Sequence, residues 1–304
     1  MIMKNVKNAN YVQEDNKIEI CKAEGIEILN IADALKKYKW VRRYIKGKPA
    51  EGYFIWVKKA GCSVSSCVCI VSENIRQEMQ NLIVIEKGLN ANLHGMCNSR
   101  RSGLNGVHFA TGCIILREGA SLDYSHLHSW NASDKVQVNY RFILEKNSKL
   151  HYNYRFLSPP KNLSLETKIV CLENSKADVK TSGIGRNCKI SIKESLILEG
   201  NNSGGVLKLR VVGKEKCEIL SHSSITAKAE CKGHLDCQGL LIDKNSKISL
   251  IPQLICESTQ AQITHEASIG KISEEELHYL RTRGLKEHEA IDLIVNGFLE
   301  QFKI

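Results

Sequence analysis

The chain has 304 residues, 42% of them hydrophobic, and a formal net charge of +10; it is long enough for a large core and too apolar for a disordered polymer. No apolar run approaches the roughly 18–20 residues of a membrane helix, and MIMKNVKNANYVQEDNK at the start carries no signal-peptide core, so a cytoplasmic protein without a membrane partner is expected. Twelve cysteines scattered from Cys21 to Cys256 without an export signal argue against a disulfide framework and for free thiols.

In chain order, NIADALKKYKWVRRYI comes first. It sets Ile31, Leu35, Tyr38 and Val41 near helical spacing, which predicts an amphipathic helix whose wet face is the basic run from Lys36 to Lys48. Such a face suits solvent or an acidic partner. A nucleic-acid scaffold is the rival reading, but no helix-turn-helix, zinc-finger or RNA-recognition motif accompanies the charge. Next, GCSVSSCVCI gathers Cys62, Cys67 and Cys69. Cys67 and Cys69 alternate with Val68, as on a strand that puts both on one buried face, and there is neither a CxxC pair nor a nearby histidine to favour zinc.

A turn followed by a strand then recurs: NANL at Asn90, GASLDY at Gly119, NSKLHY at Asn147, NSKADV at Asn174, NCKISI at Asn187, KCEIL at Lys216, NSKISL at Asn245 and QAQI at Gln260. The small second residues (Ala91, Ala120, Ser148, Ser175, Cys188, Cys217, Ser246, Ala261) are separated by 29, 28, 27, 13, 29, 29 and 15 positions. A unit of about 28 with half-units near 14 is that of a solenoid whose coils carry one strand on each of two sheets. Asn and Gly tolerate the left-handed conformation at the corners. Prolines are confined to Pro159, Pro160 and Pro252 in this region, as unbroken ladders require, and the NG or DG hairpins of a barrel or sandwich are missing. The predicted architecture is mainly β: an N-terminal α/β region over 1–80, a parallel β-helix over 81–271 and a two-helix segment over 272–304.

In that last segment Ser273 and Glu276 spell a capping box, with Ile272 and Leu277 placed as a hydrophobic staple. Arg281 and Arg283 suit the helix C-terminus, and Gly284 lets the chain leave. A second helix carries Ile291, Ile294, Val295 and Phe298 as one apolar stripe. Two short helices with Leu277, Leu280 and this stripe must pack on the solenoid or on another protein.

The most chemistry-rich stretch is GHLDCQGLLIDKNSKISLIPQLICESTQAQITHEASIG, Gly233 to Gly270. It combines Cys237, His234, Cys256, His265 and Glu266, a mixed thiolate, imidazole and carboxylate set suited to iron or zinc held labilely. The alternative is that the cysteines are small core residues and the histidines satisfied ones. Adjacent residues of a strand point to opposite faces, so His265 and Glu266 do not both face Cys237 within one sheet unless the strand has ended or a second subunit contributes. Cys97, Cys231, Cys256 and His234 are secondary candidates, as ligands or as supporting groups.

GHLDCQGLL, Pro252 and THEASIGKISEEELHYLRTRGLKEHEAIDLIVNGFL closely resemble the C-terminal signature of the SufB/SufD family of iron–sulfur assembly scaffolds. LHGMCNSRRSGLNGVHFATGCIILREGASLDYSHLHSW, Leu93 to Trp130, resembles its central block; the match covers about 85–304 and is similar to the short archaeal form called SmsB. That resemblance implies a right-handed parallel β-helix, a homodimer through it, and a SufC-like ABC-type ATPase docked on the terminal helices through Leu277, Leu280, Ile291, Ile294, Val295 and Phe298. It further implies a transient iron–sulfur cluster held by Cys237 and Glu266 with His265, passed on to apo iron–sulfur proteins. In bacterial SufB the matching cysteine is followed by Asp-Ser, whereas Gln238 and Gly239 follow Cys237. With no GxxxxGK[ST] loop in the chain, ATP hydrolysis falls to the partner and the chain is a scaffold rather than an enzyme. A carbohydrate-active β-helix enzyme is the other rival; the dispersed carboxylates and missing export signal speak against it.

Overall fold

The computed structural model of the chain describes residues 7–47, 49 and 51–300. Strands β1 (Lys7–Glu14), β2 (Lys17–Cys21), β3 (Ile26–Asn30) and β4 (Tyr53–Val57) come first, with helix α1 (Ile31–Lys37) between β3 and β4. Paired strands then repeat: β5 (Cys62–Ile70) with β6 (Arg76–Ile85), β7 (Asn90–Ser99) with β8 (Val107–Leu116), and β9 (Ser121–Ser129) with β10 (Lys135–Leu144). They continue as β11 (Lys149–Ser158) and β12 (Asn162–Cys171), β13 (Lys176–Arg186) and β14 (Lys189–Leu198), β15 (Ser203–Lys214) and β16 (Glu218–Ala227). β17 (Cys231–Leu241), β18 (Lys247–Cys256) and β19 (Gln262–Lys271) end the solenoid, and α2 (Glu274–Thr282) and α3 (Glu287–Glu300) follow.

Odd strands from β5 onward join β1 and β2 in a ten-stranded sheet; even strands from β4 onward join β3 in a nine-stranded one. Apart from the antiparallel pairs β1–β2 and β3–β4, the ladders are parallel, so the body is a two-sheet parallel β-solenoid. The spacing of the small residues has a direct structural cause. Ala120, Ser148 and Ser175 stack at the corner of the first sheet, their carbonyls accepting from Lys149, Lys176 and Gly204, while Cys188 and Cys217 stack at the second and accept from Glu218 and Lys247. Steps near 28 are whole coils, and the steps of 13 and 15 jump between sheets. Left-handed backbone occurs at Gly119, Asn147, Asn174, Asn187 and Lys216, as the corners require.

Alternation along each strand sends every second side chain inward, and these interior rows merge into one long core that runs from Ala9 and Tyr11 to Cys237 and Ile248. Coil-to-coil ion pairs such as Lys87–Glu118 and Lys146–Glu173 line the outside, each worth little when exposed. β5 and β6 already stack on β7 and β8, so the two sheets begin before residue 81.

Two local expectations need correction. The single helix expected through Tyr44 breaks at Tyr38 (φ −125°, ψ 105°) and resumes only as a 3-10 turn over Lys39–Arg43. Ile31 and Val41 are buried as expected and Leu35 and Tyr38 pack beside them, but Tyr38 must also reach Phe54 and Trp56 (ring centroids 5.8 and 5.3 Å) and bond Glu27 through its hydroxyl (2.8 Å). Those tertiary contacts outweigh the weak helix propensity of an aromatic run. On β5, Cys67 and Cys69 do share a face, but Val64, Ser66 and Val68 fill the interior and the two thiols lie on the outer side.

α2 begins with the expected capping box, the Ser273 hydroxyl accepting from Glu276 N–H and the Glu276 carboxylate from Ser273 N–H. Its exit uses Gly284 at φ +96°. α3 lays Val295 and Leu299 on Val212 and Leu240, flanked by Ile291, Ile294 and Phe298. α3 therefore covers part of the outer face of β15 and β17, and α2 packs against α3. The last coil is left open, with Ile251 43%, Ile255 37% and Ile269 45% exposed.

Candidate metal centre

Cys237 sits on β17, directly opposite Ala267 of the terminal strand β19. Its side chain points into the interior and is 1% exposed. Burial, with the nearby Glu194 carboxyl adding to it, pushes the thiol up to about 12, while a hydrogen bond with Ser223 pulls the other way. Ser223 also donates to Glu194 Oε2 (3.3 Å), Thr181 donates to Glu194 Oε1 (2.6 Å), and Ser221 lies 3.1 Å from the Ser223 hydroxyl. Buried, with only the partial compensation of the Thr181 and Ser223 hydroxyls, Glu194 is pushed up to about 7. A thiol, a hydroxyl and a carboxyl with a raised pKa are thus linked in series in the interior.

The remaining sequence candidates divide by face. Glu266 lies on the outer side, 61% exposed, with His234 Nε2 at 3.8 Å from Oε1; His234 Nδ1 is 2.8 Å from Thr264 Oγ1. His265 shares the inward parity of Cys237 but, on the last strand, stands exposed at the open end. Within one chain Cys237 and Glu266 are therefore on opposite faces, as strand alternation requires. Cys231 is buried at the start of β17, held above the usual thiol range by burial, whereas Cys256 is exposed at the end of β18 and its Sγ lies 3.2 Å from the Ser258 carbonyl oxygen. On the outer side of β17, Asp236 and Arg210 form a buried bidentate pair that ties β17 to β15 next to Cys237.

Cys97 belongs to a second polar island deeper in the solenoid, beside His126 and His128; one thiol and two imidazole donor atoms lie within 4.8 Å of one another. The histidines were not singled out from the sequence. Their signal was SHLHSW, an H-x-H pair on one face of a strand that also carries Tyr124. Between the islands is a cavity of about 10 Å³ lined by Tyr140, Tyr152, Tyr154, Thr181 and Glu194.

The solenoid thus points thiols, imidazoles and the Glu194 carboxyl into its own interior, donor types that suit transition metals. The family model described as SUF system FeS cluster assembly, SufBD core domain, matches residues 68–298. The chain belongs to that SufBD family. A protein of Methanothermobacter thermautotrophicus named iron-sulfur cluster assembly SufBD family protein is 29% identical over 92% of this chain and 74% of its own length. The one from Archaeoglobus fulgidus is 29% identical over 98% and 86%, and that from Methanocaldococcus jannaschii 25% over 84% of both chains.

Proposed function

We propose that the chain is the scaffold subunit on which an iron–sulfur cluster is built, with Cys237 as the thiolate that first takes iron and Glu266 and His265 as labile ligands. One observation carries this reading: Cys237 lies one strand in from a solenoid end that is uncapped among the described residues, bonded to the Ser223 hydroxyl, which leads on to the Glu194 carboxyl. As the S–H bond breaks, its proton passes to Ser223, which hands its own to Glu194, while sulfur gains the bond to iron. The sealed position of Cys237 calls for opening. Two copies joined at the open ends place two Cys237 beneath one seam, with His265 of both copies at the junction. A SufC-like ATPase engages the outward side of α2 and α3, where Tyr279 and Leu293 are 58% and 54% exposed, and its nucleotide-driven closure parts the seam. The finished cluster leaves for apo iron–sulfur proteins.

Anaerobic reconstitution of the chain with the ATPase, ferrous iron and sulfide tests this. Thiolate-to-iron charge-transfer absorption is expected in wild type and lost in Cys237→Ser; a colourless wild type, or an undiminished variant, rejects the assignment.

A further inference from the structure

The second island is built with more care than a hydrophobic core demands. Cys97 on β7 is directly opposite His128 on β9, and Gly95 is opposite His126. A side chain at residue 95 would place its Cβ 2.9 Å from His126 Cδ2 and 3.1 Å from the Tyr124 hydroxyl, so the glycine makes room for the imidazole. His126 Nε2 then lies 3.5 Å from Cys97 Sγ and 3.1 Å from His128 Nε2.

The far nitrogens are each engaged by neighbouring side chains. His126 Nδ1 is 3.2 Å from the Tyr124 hydroxyl, and His128 Nδ1 is 2.8 Å from the Tyr154 hydroxyl and accepts from Trp130 Nε1 (3.2 Å). Because Trp130 only donates, Nδ1 of neutral His128 is the acceptor and its proton sits on Nε2; ligation through Nε2 moves that proton to Nδ1, where the Tyr154 hydroxyl accepts it and the Trp130 contact is given up. His108 adds a third imidazole, its ring centroid 6.2 Å from that of His128. Its Nδ1 lies 3.0 Å from Gln77 Oε1, an oxygen oriented by the Gln77 amide donating to the Asp15 carbonyl. His108 is 1% exposed, and its Nε2 has no hydrogen-bond partner among the described residues.

We propose that Cys97, His126 and His128 form a binding site for a divalent transition ion of borderline softness, zinc or ferrous iron, separate from Cys237. Bond lengths of about 2.0–2.3 Å to nitrogen and sulfur put tetrahedral ligand atoms about 3.3–3.6 Å apart, close to the two short separations already present. The thiol proton leaves as the ion binds, which gives one thiolate and two neutral imidazoles; His108 or solvent supplies the fourth position. Cys97 is two residues from the end of β7 at Ser99 and keeps 6% exposure, which marks the corner as the way in.

The test uses the metal-stripped full chain under anaerobic conditions with Co²⁺ as an optical probe, in wild type and in Cys97→Ser, His126→Gln and Cys237→Ser. One tight equivalent is expected, with tetrahedral ligand-field bands and a sulfur-to-cobalt band, retained in Cys237→Ser and weakened at least about 10-fold in the other two. X-ray absorption of the wild-type complex, expected to show one sulfur and two or more nitrogens, needs no variant to fold. Metal analysis of the chain purified anaerobically, before stripping, separates the sources: about one equivalent of zinc identifies a resident zinc site, and iron in its place an iron-loading site. No tight Co²⁺ binding, a sulfur-free shell, or binding unchanged in Cys97→Ser overturns the proposal, whatever Cys237 does in cluster assembly.

Discussion

Glu194 is costly for the fold in a way that pH exposes. Its carboxyl is held up at about 7 by burial, against 4.5 for the free group, so the folded state keeps a proton that the unfolded chain gives up. The sign follows: between about pH 4.5 and 7 the unfolded state binds fewer protons, stability falls as pH rises, and above 7 the full penalty of about 3 kcal/mol remains. Glu194→Gln keeps the contacts to Thr181 and Ser223 without the charge. Denaturant unfolding at pH 5 and pH 8 should show the variant more stable than wild type at pH 8 by about 1–3 kcal/mol and similar at pH 5. Equal stability at pH 8 sinks the assignment of a buried, strained carboxyl. If the same variant also slows cluster formation, the carboxyl serves Cys237 as its proton acceptor. Residue 237 stood out in the sequence because soft ligands cluster around it; Glu194 did not, since nothing in KISIKESLIL distinguishes an inward glutamate from the outward Lys193 until the ladder places Ile190 and Ile192 on the same face.

At the scale of elements, the sequence was legible where one local rule fixed the outcome. Small residues at Ala120, Ser148 and Ser175 had to stack because a corner admits little else, and Ser273 with Glu276 had to begin a helix. It was illegible where partners came from far along the chain, as at Tyr38, whose helix ends for the sake of Glu27 and Trp56. The stripe on α3 was visible as a stripe, but not the surface it covers, since Val212 and Leu240 lie on two different coils. That packing predicts how the helices detach. Val295 is 5% exposed against the solenoid, and Lys180 Nζ donates to the Leu299 carbonyl (2.9 Å) to tie the last turn down. Val295→Asp puts a charge at the contact and should weaken docking by about 2–3 kcal/mol. Limited trypsin digestion should then cut at Arg281, Arg283 or Lys286 faster than in wild type, with the main thermal transition in place. Unchanged cleavage, or collapse of the whole fold, shows that the helices are not a separable layer.

For the molecule as a whole, the ends of the solenoid are unequal. At the N-terminal end β1–β2 and β3–β4 fold back antiparallel and close the sheets. At the other end β18 and β19 present ten-residue edges, an invitation to further pairing that monomeric β proteins blunt with charge, bulges or a covering element. Pro252 interrupts the first edge, yet Ile251 and Ile255 on its outer side and Ile269 on the inward side of β19 leave it apolar, and the helices that might have served as a cap lie elsewhere. In the proposed dimer, a two-fold axis through this end would pair each edge with its own copy antiparallel, which would close both sheets and repeat every contact once. Charge on the edge should prevent that. The double variant Ile251→Lys/Ile269→Lys is therefore expected to run as a monomer in light scattering after gel filtration while wild type runs as a dimer, with unchanged far-UV circular dichroism. It should also fail in cluster reconstitution with Cys237 intact, because a site completed at the seam needs the second copy. A monomeric wild type breaks this link between the open end and the buried thiol, and a dimeric double variant places the interface on another face.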